Sequence, residues 1–195
     1  MYFVGVDPSI TNTGLVVLDS SGSLCGCVNG RAYDDKRLEP IRRYDRIATW
    51  LSLYMEDCME PPASEYCIGY EDYSYGSVHR GFSLAEFGGV LKLRLHGSEQ
   101  SSLMLIAPSS NKLFATGHGH ATKEEVMAQA GRECQELYKL PKKELTSDIC
   151  DAYFLAKAAW YANAPAEAVL RNETNRAMLR GRLEMVTEWK NKKSK

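Results

Sequence analysis

The sequence predicts an α/β fold: a central mixed five-stranded sheet flanked by helices. Three observations carry that expectation. Three extended segments open the chain with only short turns between them, the mark of consecutive hairpins. Two more strand-like runs, 67–71 and 103–106, alternate with amphipathic helical stretches. After about residue 108 only helical patterns follow. Such an order builds layers around a single mixed sheet, and the opening hairpins argue against an all-parallel, doubly wound one.

The elements follow in order. Tyr2, Phe3, Val4 and Val6 read as a central strand, closed by Asp7 and the turn-forming Pro8-Ser9. Gly14 to Leu18 is a second apolar run, Asp19 to Ser23 a turn, and Leu24 to Tyr33 a third extended segment. Ile41, Tyr44, Ala48, Leu51, Met55 and Cys58 recur at helical spacing, and Pro61-Pro62 stops them. Cys67 to Glu71 is a short strand that, like the first, finishes in an acid. Residues 72–82, DYSYGSVHRGF, read as an aromatic loop. Leu84, Phe87, Leu91 and Leu95 mark a helix with Gly88-Gly89 inside it, a costly choice that a closely packed second backbone explains. Leu103 to Ile106 is a strand, and Pro108 opens a short helix. Thr122 and Glu125 form a capping box for a helix to about Tyr138. Thr146 or Ser147 caps the next, from Asp148 to about Ala162. A charged helix over 165–190 closes the pattern. The organisation expected is a nuclease-like domain over 1–162 and a charged, helical extension over 163–195.

A chain of 195 residues with 44% hydrophobic content supports one domain with a substantial core. No run of 18 apolar residues is present, so no membrane span is expected. The first residues show neither a basic nor an apolar leader region, which favours a cytoplasmic location. Six cysteines without a C-x-x-C pair read as reduced, mostly core thiols. The net charge is −1, yet residues 164–195 carry eight Lys/Arg against four Glu. A basic tail after an acidic body can meet phosphate, or can be a solvated helix.

The chemistry lies in the acids. Asp7 and Glu71 each close a strand. In TSDICDAYFLAKAAW, Asp148 and Asp151 share one face of an apolar helix's first turn. Complementing the helix dipole explains Asp148 but explains Asp151, between Cys150 and Ala152, poorly. Four repelling carboxylates need a common partner, and a pair of hard divalent cations is the natural one. With no His or Cys required, Mg²⁺ or Mn²⁺, two ions per site, fits better than zinc. Two such ions support phosphodiester hydrolysis. His118 and His120, alternating in a glycine loop, read as solvated or phosphate-touching groups.

These segments (strand–Asp7–PSITNTG, strand–Glu71, PSSNKLFATGHGHATK and DICDAYFLA) resemble the RuvC family of Holliday-junction resolvases, of RNase H-like fold. The likeness spans about residues 1–162. Ser9 stands where the family pattern has glycine, and Ser74 where its loop has phenylalanine. The resemblance implies that Asp7, Glu71, Asp148 and Asp151 are the metal-binding acids. It also implies that Lys112 and Lys123 are the active-site lysines, Lys123 the catalytic one. It implies paired nicks in a four-way junction, leaving 5′-phosphate and 3′-hydroxyl ends, by a two-fold dimer with no small-molecule cofactor. Gly88-Gly89 is then a candidate dimer contact. Tyr73, Tyr75, His79, Arg80 and Phe82 are candidates for stacking on unpaired bases. The diverged loop and near-neutral charge leave room for a viral-type relative that cuts branched DNA more broadly; two further rivals are a sugar-kinase or actin-like nucleotide binder and a silent nucleic-acid-binding relative. The nucleotide binder needs a second phosphate loop and more chain, and the silent relative would be expected to lack an acid.

Overall fold

The computed structural model describes residues 1–59, 65–72, 81–96, 101–141, 144–164 and 181–187. Strands β1 (Tyr2–Asp7), β2 (Gly14–Leu18), β3 (Leu24–Asn29), β4 (Tyr66–Glu71) and β5 (Ser101–Ile106) form one sheet in the order β3-β2-β1-β4-β5. The β1–β2 and β2–β3 pairs are antiparallel, and β1–β4 and β4–β5 are parallel. The mixed sheet is therefore as expected: hairpins first, then crossovers.

The helices are α1 (Pro40–Asp57), α2 (Gly81–Leu95), α3 (Pro108–Thr116), α4 (Lys123–Glu133), α5 (Gln135–Tyr138) and α6 (Ser147–Asn163). Alternate residues of each strand point to opposite faces. Val4, Val6, Leu15 and Val17 meet Ile47, Leu51, Phe87 and Leu91 of α1 and α2. Phe3, Val16 and Leu18 share the opposite core with Phe114, Val126, Phe154 and Trp160. On that face α6 is apolar around its whole circumference, as a helix sandwiched between a sheet and other helices must be. Its backbone lies directly on three glycines. A Cβ on Gly5, Gly14 or Gly69 would stand only 1.8 to 2.1 Å from the carbonyl oxygens of Ala152, Asp148 and Leu155. The glycines set the height of α6 above the sheet.

Four local differences from the sequence expectation have physical causes. The third strand stops at Asn29, because the Asn29 side chain accepts from the Arg31 amide and caps a 3-10 turn over Gly30–Tyr33. The helix expected to reach Tyr138 breaks at Cys134, whose backbone is extended. Gly88 is buried, but among the described residues nothing stands within 4 Å of a Cβ at Gly89. Within the extension, residues 181–187 are helical and bury Arg182 against the core (1% exposed) rather than solvating it. The remainder of 165–195 and the Pro61-Pro62 stop lie outside the described residues. All six cysteines are free thiols, and Cys150 is fully buried. Among the described residues, no helix is long and apolar enough to cross a membrane.

Candidate active site

The parallel register of β1 and β4 ends with Val6 opposite Tyr70, so Asp7 and Glu71 leave neighbouring strands side by side. Thr146 caps α6 by accepting from the Ile149 amide at 3.3 Å. That fixes where the first turn begins, and so which face carries Asp148 and Asp151. Because Gly14 and Gly5 lie beneath Asp148 and Ala152, this turn sits over the C-terminal end of β1.

The electrostatics show that the four acids act on one another. Burial raises the Asp7 carboxyl well above its usual range, and the charges of Glu71, Asp151 and Asp148 raise it further. Glu71 is pushed up to about 7, first by burial and then by Asp151. Asp151 rises to about 6, by burial and by Asp148. Lys123 opposes all three shifts, and Lys112 opposes those of Glu71 and Asp151. The structure thus brings the four acids and both lysines into one electrostatic neighbourhood. Lys123 begins α4, and its Nζ donates to Ser147 Oγ at 3.4 Å, joining the start of α4 to the start of α6.

Sequence reasoning missed Asn111. It is 1% exposed, and its Nδ2 donates to the Asp151 main-chain oxygen at 3.1 Å. Its Oδ1 is buried without a partner among the described residues. The only local sign was a polar residue directly before Lys112. His118 and His120 are exposed on their loop. Phe82, in the first turn of α2, is 86% exposed. Tyr73, Tyr75, His79 and Arg80 lie outside the described residues.

Among the described residues, no three His, Cys, Asp or Glu side chains already converge on one point as a metal cage. The donor chemistry nevertheless fits hard cations. It is all carboxylate oxygen, and the burial and mutual repulsion that raise Asp7, Glu71 and Asp151 are what a divalent charge would offset.

No family model matches the chain. A curated relative, the crossover junction endodeoxyribonuclease RuvC of Dictyoglomus thermophilum, is 24% identical over 160 residues, covering 80% of this chain and 93% of the relative. The Thermus thermophilus RuvC structure in complex with a Holliday junction substrate superposes with a TM-score of 0.63 at 21% identity. That match covers 83% of this chain and 94% of the other. The fold is that of RuvC. A second T. thermophilus RuvC structure gives a TM-score of 0.59 at 22% identity, over 83% of this chain and 95% of that one. The likeness to RuvC-type resolvases read from the sequence therefore holds in sequence and in three dimensions, and the RNase H-like fold that RuvC structures have is this chain's fold.

Proposed function

We propose that this chain is a structure-selective endonuclease that resolves four-way DNA junctions by paired symmetric nicks, using two divalent ions, Mg²⁺ or Mn²⁺, per site. The observation that carries this reading is the cluster of Asp7, Glu71, Asp148 and Asp151 at one sheet end, where burial, and then the charges of neighbouring acids, raise the carboxyls of Asp7, Glu71 and Asp151. The name of the D. thermophilum relative and the Holliday junction bound in the T. thermophilus structure supply the substrate class.

In this reading the four carboxylates hold the ions. Bound divalent ions supply Lewis-acid stabilisation of the charge that develops on a phosphodiester under attack. The chain's own groups do the positioning. Lys123, held toward α6 through Ser147, offers its ammonium to the attacked phosphate or to charge developing on it. Lys112 supplies a second positive charge on the same side of the acids. Asn111 fixes the α6 turn that carries Asp151. The loop of Tyr73, Tyr75, His79 and Arg80, with exposed Phe82 at its end, occupies the opened junction centre.

Two symmetric nicks need two sites, and so a homodimer. Phe82, Gly89 and Leu93 recur at helical spacing along the exposed side of α2, where Leu93 is 75% exposed and nothing fills the space at Gly89. With exposed Ile41 of α1, which lines one cleft with Leu93, this is the apolar surface a second copy would cover. Residues 1–162 form the nuclease unit, 163–195 an extension to it, and the enzyme works in the cytoplasm.

The test is cleavage of a synthetic four-way junction beside linear duplex and flap substrates, with Mg²⁺ and with EDTA. Paired nicks confined to the junction and abolished by EDTA are expected. Metal-independent cutting, or no preference for branched DNA, would overturn the proposal.

A further inference from the structure

The active-site end of the sheet continues, past β3, into a positive surface that the reading above does not use. Asn29 closes β3 directly opposite Gly14, and its Nδ2 donates to Thr146 Oγ1 at 3.3 Å, the residue that caps α6. Arg31 therefore begins its 3-10 turn beside the helix start that bears Asp148 and Asp151. Between them lies a cleft of about 570 Å³, lined by Asn12, Asn29, Arg31 and Thr146, with exposed Glu144 also on its wall.

Beyond Arg31 the charge is mixed, with a small excess of cations. Residues 30–46 hold six Lys/Arg against four Asp/Glu, in a chain whose net charge is −1. Three of those acids are already committed, and the fourth, Glu39, is exposed between Lys36 and Arg42 in the sequence. Asp34 takes a bidentate pair with Arg43, Asp35 is bonded by Arg37 at 2.8 Å, and Asp45 pairs with Arg94 of α2. Arg31, Lys36, Arg42 and Arg46 are exposed and enter no ion pair among the described residues. Arg42 and Arg46 stand one turn apart on α1, a like-charge spacing that costs a few tenths of a kcal/mol in a helix. The patch is also rigid. Tyr33 stacks on half-exposed Trp50 with centroids 5.2 Å apart and planes within 6°, clasping the 3-10 turn to α1. Gly30 is bonded back to Thr13 at 2.7 Å. Hydrogen bonds from Arg37, together with the nearby charges of Arg37 and Arg46, hold the Asp35 carboxyl low, so the loop and the α1 stripe share one field.

We infer that Arg31, Lys36, Arg42 and Arg46 form a phosphate-tracking surface for a duplex arm of the DNA, reached from the active site across the Asn12–Arg31 cleft. The inference rests on the junction-resolving reading and adds to it a second, sequence-blind grip outside the acids and lysines. Exposed cations that enter no ion pair among the described residues, beside a nuclease site, attract the phosphates of DNA. The DNA passes on the Arg31 side of the cleft, away from Glu144.

The experiment measures binding to a catalytically blocked junction, in calcium, as a function of salt, with arms shorter than one helical turn and longer than two. The variant is Arg31→Gln/Lys36→Gln/Arg42→Gln/Arg46→Gln, with Arg→Lys at 31, 42 and 46 as the charge-preserving control. Wild type should prefer long arms. The Gln variant should lose that preference and bind long-armed junctions about tenfold or more less tightly, with a salt slope flattened by about 2 to 4. The Lys control should keep both. If the Gln set impairs folding by circular dichroism, the single changes Arg42→Gln and Arg46→Gln should each flatten the slope by about 0.9. Unchanged slope and unchanged arm-length preference would overturn the inference while leaving junction binding intact. A wild-type protein that ignores branched DNA would instead overturn the functional reading, and the inference with it.

Discussion

Two partly buried charge clusters are tied to α3, one through Asn111 and one through Arg182, and they are built on opposite rules. In one, Asp7, Glu71, Asp148 and Asp151 crowd together, with the lysines only partly offsetting them. In the other, Glu133 meets two cations. Arg182 reaches its two oxygens at 2.6 and 3.0 Å, and Lys157 completes the pair. The same guanidinium donates to the Phe114 and Ala115 carbonyls at 2.8 and 3.1 Å and lies 4.7 Å from the Phe114 ring. Burial alone would raise Glu133, yet the Arg182 hydrogen bond and both positive charges outweigh it and hold the carboxyl low. A closed cluster satisfies itself and stabilises the fold. An open one keeps a deficit that only a ligand can meet. In the proposed reading, the contrast is that of a structural site with a functional one.

The largest effect expected from breaking this contrast is on catalysis. Asp7→Asn removes one negative charge from the open cluster. Junction cleavage with Mg²⁺ should fall about a thousandfold or more, the equivalent of about 4 kcal/mol of transition-state stabilisation. Unfolding of the metal-free variant by urea should show no loss of stability, because the change relieves repulsion. Wild-type cutting by this variant would remove Asp7 from the site.

Next in size is the closed cluster. Arg182→Ala leaves Glu133 short of its bidentate partner and strands two carbonyls at the end of α3. Breaking a buried pair by deleting one partner costs about 3–5 kcal/mol, and urea midpoints should report a loss of that order. A loss below about 1 kcal/mol would return Arg182 to the class of exposed tail charges.

The two clusters should also answer pH with opposite signs. Carboxyls raised in the folded state hold protons that the unfolded chain has released. Their contribution is present at lower pH and is lost as pH rises through about 6 to 7, the values of Asp151 and Glu71. Glu133 is depressed, so its contribution is present above the ordinary carboxylate range and is lost as pH falls through its lower folded value. Metal-free protein should therefore lose about 1–3 kcal/mol between pH 5.5 and 8. Asp7→Asn should shrink that fall, and saturating Mg²⁺ should abolish it. Flat stability across this range in the chelated protein would contradict the mutual repulsion.

The open cluster was legible in the sequence and the closed one was not, for a physical reason. Asp7, Glu71, Asp148 and Asp151 each sit where a local pattern breaks: an acid at a strand end, or an acid inside an apolar helix. Local patterns are what a sequence displays. Arg182 is 49 residues from Glu133 and 68 from Phe114, and its own surroundings, RGRLEM, read as a charged helix surface. Only the packed structure pairs it. Gly5, Gly14 and Gly69 were hidden in the same way, because a glycine within an apolar strand gives no sign of which helix will lie on it. Gly88-Gly89 divides: Gly88 is buried, while Gly89 is exposed. Close packing was expected, and among the described residues nothing stands within 4 Å of a Cβ at Gly89.

The smallest expected effect concerns what joins the clusters. Asn111 bonds the Asp151 carbonyl from the middle of α3, and Arg182 bonds the last residues of the same helix. The helix is nine residues long and is flanked by Pro108 and the left-handed Gly117, so it moves as a unit. Asn111→Ala should cost about 1 kcal/mol, since a side-chain hydrogen bond is lost but the partnerless Oδ1 is removed with it. If α3 is a strut between the clusters, Asn111→Ala and Arg182→Lys should not be independent. Each lets the helix shift, and the second shift costs less once the first has occurred. A double-mutant cycle on junction cleavage should then show a coupling of about 0.5–1 kcal/mol, above the error of about 0.3 that independent sites display. Strict additivity would mean that the two side chains hold α3 separately, with the closed cluster contributing to stability alone and nothing to the geometry of the acids.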